Sequence, residues 1–72
     1  MRRQFNVIIE RDEDGYYVAT VPEIRGCHTQ GRSLDTSMRR VRGAIDLCLE
    51  VQGEASLSSN EFVGVQRITV EK

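Results

Sequence analysis

Carboxylates are the side chains of this sequence that could do metal chemistry. Asp12–Asp14 are three consecutive acids, and Glu10, Asp46 and Glu50 lie further along the chain. A two-metal nuclease needs several carboxylates that converge from strands and helix onto two ions a few ångström apart. The consecutive acids lack the spacing of a cation-binding loop. The sequence therefore predicts solvated turn carboxylates, no metal site and no enzyme, with a metal-dependent nuclease as the alternative.

The remaining candidates for chemistry are one histidine and two cysteines. His28 has no Ser or Asp partner at a catalytic spacing, which favours a structural role or contact with a partner. Cys27 and Cys48 have neither a CxxC spacing nor a secretory context, so we expect reduced thiols and no disulfide. No cofactor is implied.

A cluster of arginines, Arg39, Arg40 and Arg42, lies on one predicted helix. Helical spacing favours a solvated face that pairs with Asp35 and Asp46. Phosphate contact is the alternative, but no interleaved aromatic residues support it. The net charge of −1 argues against non-specific nucleic-acid binding as the whole function, and a small nucleic-acid-binding regulator stays open.

An antiparallel hairpin is predicted around the acidic cluster. Residues 3–11 alternate apolar and polar side chains, and 16–21 are rich in aromatic and β-branched residues. Gly15 suits a tight turn between them. With residues 12–14 as the loop, Ile9 faces Tyr17 and Val7 faces Ala19. Residues 27–30 form a third short strand between two glycines.

One amphipathic helix follows, from Leu34 to about Val51, with Ser33 as N-cap and Gly53 as its stop. Gly43 within it suggests a close crossing over the sheet. Residues 54–60 are predicted to form a loop. A last strand, 62–70, changes its apolar phase between Val65 and Ile68, which suggests a bulge. The order is βββαβ, an α+β fold with the helix on one sheet face and the last strand parallel to the first.

The length of 72 residues predicts a single domain, 1–72. A chain this short buries only about 60% of its unfolded surface, so oligomerisation is the usual way to gain stability, and a dimer is favoured. No segment has the apolar length of a membrane span or a signal peptide, so we expect a soluble cytoplasmic protein with no membrane contact.

The sequence resembles the HicB-like antitoxin family over about Val7 to Glu50. The residues that carry this resemblance are Asp12-Glu13-Asp14-Gly15-Tyr16-Tyr17-Val18-Ala19, Val21-Pro22, Gly26-Cys27, Thr29-Gln30-Gly31, Ser33-Leu34 and Ala44-Ile45. The family usually has Pro where this chain has Arg25, and a Glu-Glu-Ala opening to the helix in place of Asp35-Thr36-Ser37.

This resemblance implies a partial RNase H-like core that binds and neutralises a small basic toxin of the HicA type, an RNA-cleaving protein. Many relatives append a ribbon-helix-helix or helix-turn-helix module, so direct DNA binding is not expected without such a domain. A solitary regulator or an RNase H-like metal nuclease remains the alternative.

The predicted partner surface is the sheet face opposite the helix, together with the edge of the third strand. That face is too apolar for water alone and too polar for a core. It is the expected site of toxin binding or homodimerisation. The candidate interface residues are Ile8, Tyr16, Val18, Cys27, His28 and Thr29.

Overall fold

The computed structural model describes residues 3–72. Its strands are β1 (Ile8–Arg11), β2 (Tyr17–Thr20) and β3 (His28–Gly31), followed by helix α1 (Leu34–Gln52) and a 3₁₀ turn (Gly53–Ser56). The strands form one antiparallel sheet in the order β1-β2-β3. The predicted α+β class, hairpin, third strand and single helix are confirmed. No helix in the described residues is long and apolar enough to cross a membrane.

The hairpin register differs from the predicted one by two residues. Ile9 pairs with Ala19, and Arg11 pairs with Tyr17, so the predicted Ile9–Tyr17 pair is wrong. The turn is longer because the Asp12 carboxylate accepts hydrogen bonds from the backbone N–H groups of Asp14 (3.0 Å) and Tyr16 (2.9 Å). Gly15 completes the turn at φ +87°. A shift of two residues preserves the facing of every side chain.

Helix α1 begins and ends where its capping residues predict. The Ser33 hydroxyl accepts a hydrogen bond from the Thr36 N–H at 3.1 Å, which satisfies one of the free donors of the first turn. Gly53 adopts φ +57°, and its N–H donates to the Leu49 carbonyl. The helix therefore spans nearly the predicted range.

A close approach fixes the helix on the sheet, but at a different glycine from the predicted one. Gly43 is exposed, and a Cβ there would meet no atom within 4 Å, so the predicted crossing at Gly43 is wrong. A Cβ on Gly31 would lie 2.8 Å from the Ser37 backbone nitrogen. Ser37 is fully buried, and its hydroxyl donates to the Tyr17 carbonyl at 2.9 Å. The absent side chain of Gly31 thus lets the first turn of α1 rest on β2 and β3.

The core lies between this helix and the sheet. Its buried apolar residues are Ala19, Val21, Ile24, Cys27 and Val41. The segment after α1 returns to close one end: Leu57 forms an isolated bridge with Ile24, and the Ser58 N–H donates to the Glu23 carbonyl at 2.7 Å. The predicted loop at 54–60 is therefore partly a 3₁₀ turn and partly this closing segment.

The predicted last strand does not form. Residues 62–70 pair with no strand among the described residues, and Val63 and Ile68 are 90% and 81% exposed. Alternation of apolar residues is a local property, whereas a strand also needs a neighbouring strand for its hydrogen bonds. In the single chain, this segment leaves the core after Asn60 and lies beside no other strand of the described residues.

Helix arginines do not pair as predicted with Asp35 and Asp46. Among residues 3–72, the one ion pair joins Arg3 to Glu54, at 3.7 Å. Arg40 instead donates from Nη1 to the Gln30 carbonyl at 2.9 Å. This guanidinium therefore links α1 to β3.

Candidate functional site

The sheet has two unlike faces, and strand pairing determines which residues belong to each. Ala19 is fully buried against the helix, and its cross-strand partners are Ile9 and Thr29. Side chains alternate along a strand, so the neighbouring rows must point to the opposite, outer face. These rows are Ile8, Thr20 and His28, then Glu10, Val18 and Gln30.

Polar and apolar side chains are mixed on this outer face. Ile8, Val18 and Thr20 are half-buried by their neighbours in the sheet, while Glu10 and His28 are exposed. No helix of the described chain covers this face, since α1 packs on the other one. A small apolar centre with a polar rim has the composition of a protein-binding patch.

Tyr16 and Arg32 extend this face towards the hairpin turn. The Arg32 guanidinium carbon lies 5.5 Å from the centroid of the Tyr16 ring, a distance typical of a cation–π contact. Two hydrogen bonds to Asp12 fix the Tyr16 backbone: the Tyr16 N–H donates to the Asp12 carboxylate, and the Tyr16 carbonyl accepts from the Asp12 N–H at 2.9 Å. Tyr and Arg are also the residue types most enriched among binding hot spots.

A shallow cavity of about 340 Å³ lies beside this Tyr16–Arg32 contact, between the hairpin turn and the end of β3. Asp14 and Arg11 also line it, so both charge signs are present. The neighbouring Tyr17 points to the helix side, where its ring lies 5.4 Å from the Arg11 guanidinium carbon. The two adjacent tyrosines thus serve opposite faces of the sheet.

Four of the six candidate interface residues come together on the outer face: Ile8, Tyr16, Val18 and His28. The other two lie elsewhere. Cys27 is 3% exposed within the core, and Thr29 points to the helix side opposite Ala19. Sequence reasoning did not single out Arg32; its position two residues after Gln30, on the same face, was the available signal.

Cys27 and Cys48 are neighbouring free thiols at the core. Burial raises the pKa of the Cys27 thiol from 9.0 to about 11, and the nearby Cys48 adds to this increase. A protonated thiol is a poor nucleophile, so Cys27 acts as a small apolar core residue at neutral pH.

The acidic cluster shapes the hairpin turn. The Asp12 carboxylate accepts hydrogen bonds from two backbone N–H groups, as in an Asx turn. Within residues 3–72, no three His, Cys, Asp or Glu side chains lie close enough together to hold a metal ion. Glu13 and Asp14 are exposed and add two negative charges at this end of the outer face.

The fold and the uncovered sheet face define a small α+β domain with one helix on one side of an antiparallel sheet. The chain belongs to the HicB-like antitoxin family, since the family model described as a HicB-like antitoxin of bacterial toxin-antitoxin systems matches residues 5–70. This membership supports an antitoxin role.

Relatives of similar length match nearly the whole chain. A UPF0150 protein of Archaeoglobus fulgidus is 52% identical over 68 residues, which cover 94% of this chain and 96% of that protein. A UPF0150 protein of Synechocystis is 44% identical over 70 residues, covering 96% and 97%. A third, from Thermotoga maritima, is 39% identical over 72 residues, covering 99% and 95%.

Proposed function

We propose that this chain is an antitoxin that neutralises a small, basic, RNA-cleaving toxin of the HicA type. It acts in the cytoplasm by covering a surface of the toxin, without catalysis of its own. Family membership supports the antitoxin role, and the uncovered outer face of the sheet is the observation that carries the mode of action. The HicA type is the target that the family resemblance implies.

The toxin-binding surface in this proposal is the outer face from Ile8 to Tyr16. Val18 lies at its centre, between Glu10 and Gln30, and supplies apolar contact. Tyr16, already oriented by Arg32, acts as the anchor, because an aromatic ring of fixed orientation loses little entropy on binding.

Charge at the hairpin end favours a basic partner. Glu13 and Asp14 are exposed beside Tyr16, and Glu10 adds a further carboxylate on the same face. These three carboxylates outnumber Arg11 and Arg32, which lie at the same end. The resulting net negative rim accelerates encounter with a positively charged protein and disfavours acidic ones. The net charge of the whole chain, −1, is too small to have this effect, so the local distribution is decisive.

A growth-rescue experiment tests the proposal. The product of the reading frame next to this gene is expressed as the toxin, with or without this chain, and the complex is measured by calorimetry. We expect the wild-type chain to restore growth and to bind in a one-to-one ratio of chains. Tyr16→Ala combined with Val18→Glu should weaken binding at least a hundredfold, since it removes the anchor and places a charge at the apolar centre.

The matched control is Glu50→Gln, an exposed substitution on α1 away from the outer face. It should bind and rescue like the wild type. Circular dichroism must show that all variants are folded. Equal rescue by the double variant would reject the outer face as the toxin site, and absence of toxicity or of binding by the neighbouring product would reject the HicA-type target.

A further inference from the structure

The C-terminal segment, residues 62–70, carries apolar side chains that its own chain does not bury. Val63, Val65, Ile68 and Val70 are 90%, 74%, 81% and 70% exposed. Their spacing changes phase at residues 66–67, so a strand with one bulge there would present all four on a single face. This segment has the composition of a β-strand, but it has no neighbouring strand in the described chain.

A groove of matching character lies between α1 and the chain leading into β1. It has a volume of about 910 Å³ and is lined by Phe5 and Val7 on one side and by Ile45 and Leu49 on the other. These four side chains are half-buried against the core. Charged side chains of α1, among them Arg39, Arg42 and Asp46, also line the groove, so the helix leaves an open trough with an apolar part and a charged part at the β1 side of the sheet.

The free edge of β1, which follows the groove residue Val7 in the chain, has unused hydrogen-bonding groups. The Asp12 N–H donates to the Tyr16 carbonyl, and the sheet order places β2 on one side of β1 and no strand of the described chain on the other. Hydrogen bonding alternates along an antiparallel strand, so the even-numbered residues bond to β2. The N–H and C=O groups of Val7 and Ile9 consequently point towards the free edge.

The opposite edge of the sheet is less suited to strand addition. There, the Arg40 guanidinium already bonds the outward-facing carbonyl of Gln30 at 2.9 Å. β3 also leads within three residues into α1, which packs beside it. Of the two edges, β1 therefore has the free backbone groups and the adjoining trough.

We propose that residues 62–70 of a second copy of this chain occupy this groove and add a strand to β1, and that the two copies exchange these segments reciprocally. A reciprocal exchange is isologous and closes as a two-fold dimer. It covers Val63–Val70 of both chains and supplies the strand missing from each sheet.

The dimensions of the single chain favour a second copy over closure on itself. Its radius of gyration is 13.8 Å, whereas a compact chain of this length has about 11 Å. Its longest dimension is 46 Å, against 28 and 19 Å for the others. The exchanged segment reaches away from its own core, as a segment donated to a neighbour does.

The molecular mass of the full-length chain, measured by light scattering at micromolar concentration without any toxin, is the first test. We expect about 16 kDa, twice the chain mass of 8.2 kDa. The double variant Val65→Asp, Ile68→Asp should give the monomer mass, since it places two charges against Phe5, Val7 and the other apolar side chains of the trough. Gln66→Asp, which lies between them on the bulge, should remain a dimer. A monomeric wild type, or a double variant that still dimerises, would overturn the proposal.

The second test distinguishes exchange from closure of each segment on its own chain. Isotopically labelled and unlabelled chains are unfolded, mixed and refolded together, and filtered NOE spectra then report contacts between chains only. We expect contacts from the Val65 and Ile68 methyl groups to Phe5 and Val7 of the other copy. A dimer in which these contacts occur only within one chain, or not at all, would contradict the exchange. Because no toxin is present, neither result depends on the proposed antitoxin function.

Discussion

Two apolar stretches of this chain differ in solvent exposure. Residues 17–21 and 62–70 are both rich in β-branched side chains, yet Ala19 and Val21 are 0% and 1% exposed, whereas Val63 is 90% exposed. The first stretch has β1 and β3 on its two sides and α1 across one face. The second has no strand beside it in the described chain. The difference shows that burial here depends on neighbours rather than on local composition.

The largest effect is expected from a pair of isoleucine truncations, one in the core that buries the first stretch and one in the second stretch. Ile24→Ala removes a side chain that is 2% exposed and should cost about 2–5 kcal/mol in the free energy of unfolding. Ile68→Ala, at 81% exposure, should change that of the single chain by less than about 0.5 kcal/mol.

Urea titration at several protein concentrations measures both variants. If segment exchange occurs, Ile68→Ala also reduces the concentration dependence of the unfolding midpoint, because dimerisation adds stability by mass action. Equal losses for the two variants at the lowest concentration would remove the distinction between the regions.

Alkaline pH offers a second probe of the buried region. The folded-state pKa of Cys27 is about 11, above its ordinary value of 9.0, so the folded protein retains this proton longer than the unfolded chain does. Its contribution is fully present below pH 9 and is lost as the pH rises to about 11. The loss should be at most about 3 kcal/mol.

Urea midpoints between pH 8 and 11 give this measurement. Other groups also titrate there, so the informative quantity is the difference between the wild type and Cys27→Ala. We expect this difference to shrink as the pH rises, and parallel curves would show that burial of Cys27 does not affect its ionisation.

The smallest effect concerns two glycines near the helix. Gly31→Ala should destabilise the fold by about 1–3 kcal/mol, because the new Cβ would lie 2.8 Å from the Ser37 backbone nitrogen. Gly43→Ala should stabilise it by about 1 kcal/mol, since Ala is the better helix former and the position is open. Thermal unfolding of both variants checks the opposite signs. Two shifts in the same direction would contradict the assigned packing.

Local signals in the sequence predicted the parts of the fold that depend on local chemistry. Ser33 and Gly53 cap the helix as expected, because capping uses backbone groups within one turn. The hairpin was predicted, but its register was not, since that depends on how the Asp12 carboxylate bonds the turn. The role of Gly31 requires knowing that β3 and α1 touch, which no short stretch of sequence contains.

The candidate surface, like the fold, was predictable where it depends on local alternation and not where it depends on distant contacts. Alternation along the strands was enough to place Ile8 and Val18 opposite the helix, and the structure has them there. It could not exclude Cys27, which lies just before β3 in a segment that hydrogen-bonds back to Val21 and Ile24. Nor could it supply a neighbour for residues 62–70, because pairing is set by distant parts of the chain or by another chain.

Leu57 pairs with Ile24, and the Ser58 N–H bonds the Glu23 carbonyl. These two contacts determine the direction in which the C-terminal segment leaves the folded domain. Its exit angle is thus a property of the folded body, and the few residues between Ser58 and Phe62 act as a spacer of set length. If two chains exchange residues 62–70, the spacer length determines the kind of assembly. One length permits a closed dimer, whereas a shorter or longer one favours an open chain of linked copies. Insertions or deletions near Asn60 are therefore expected to alter the assembly while leaving each body intact.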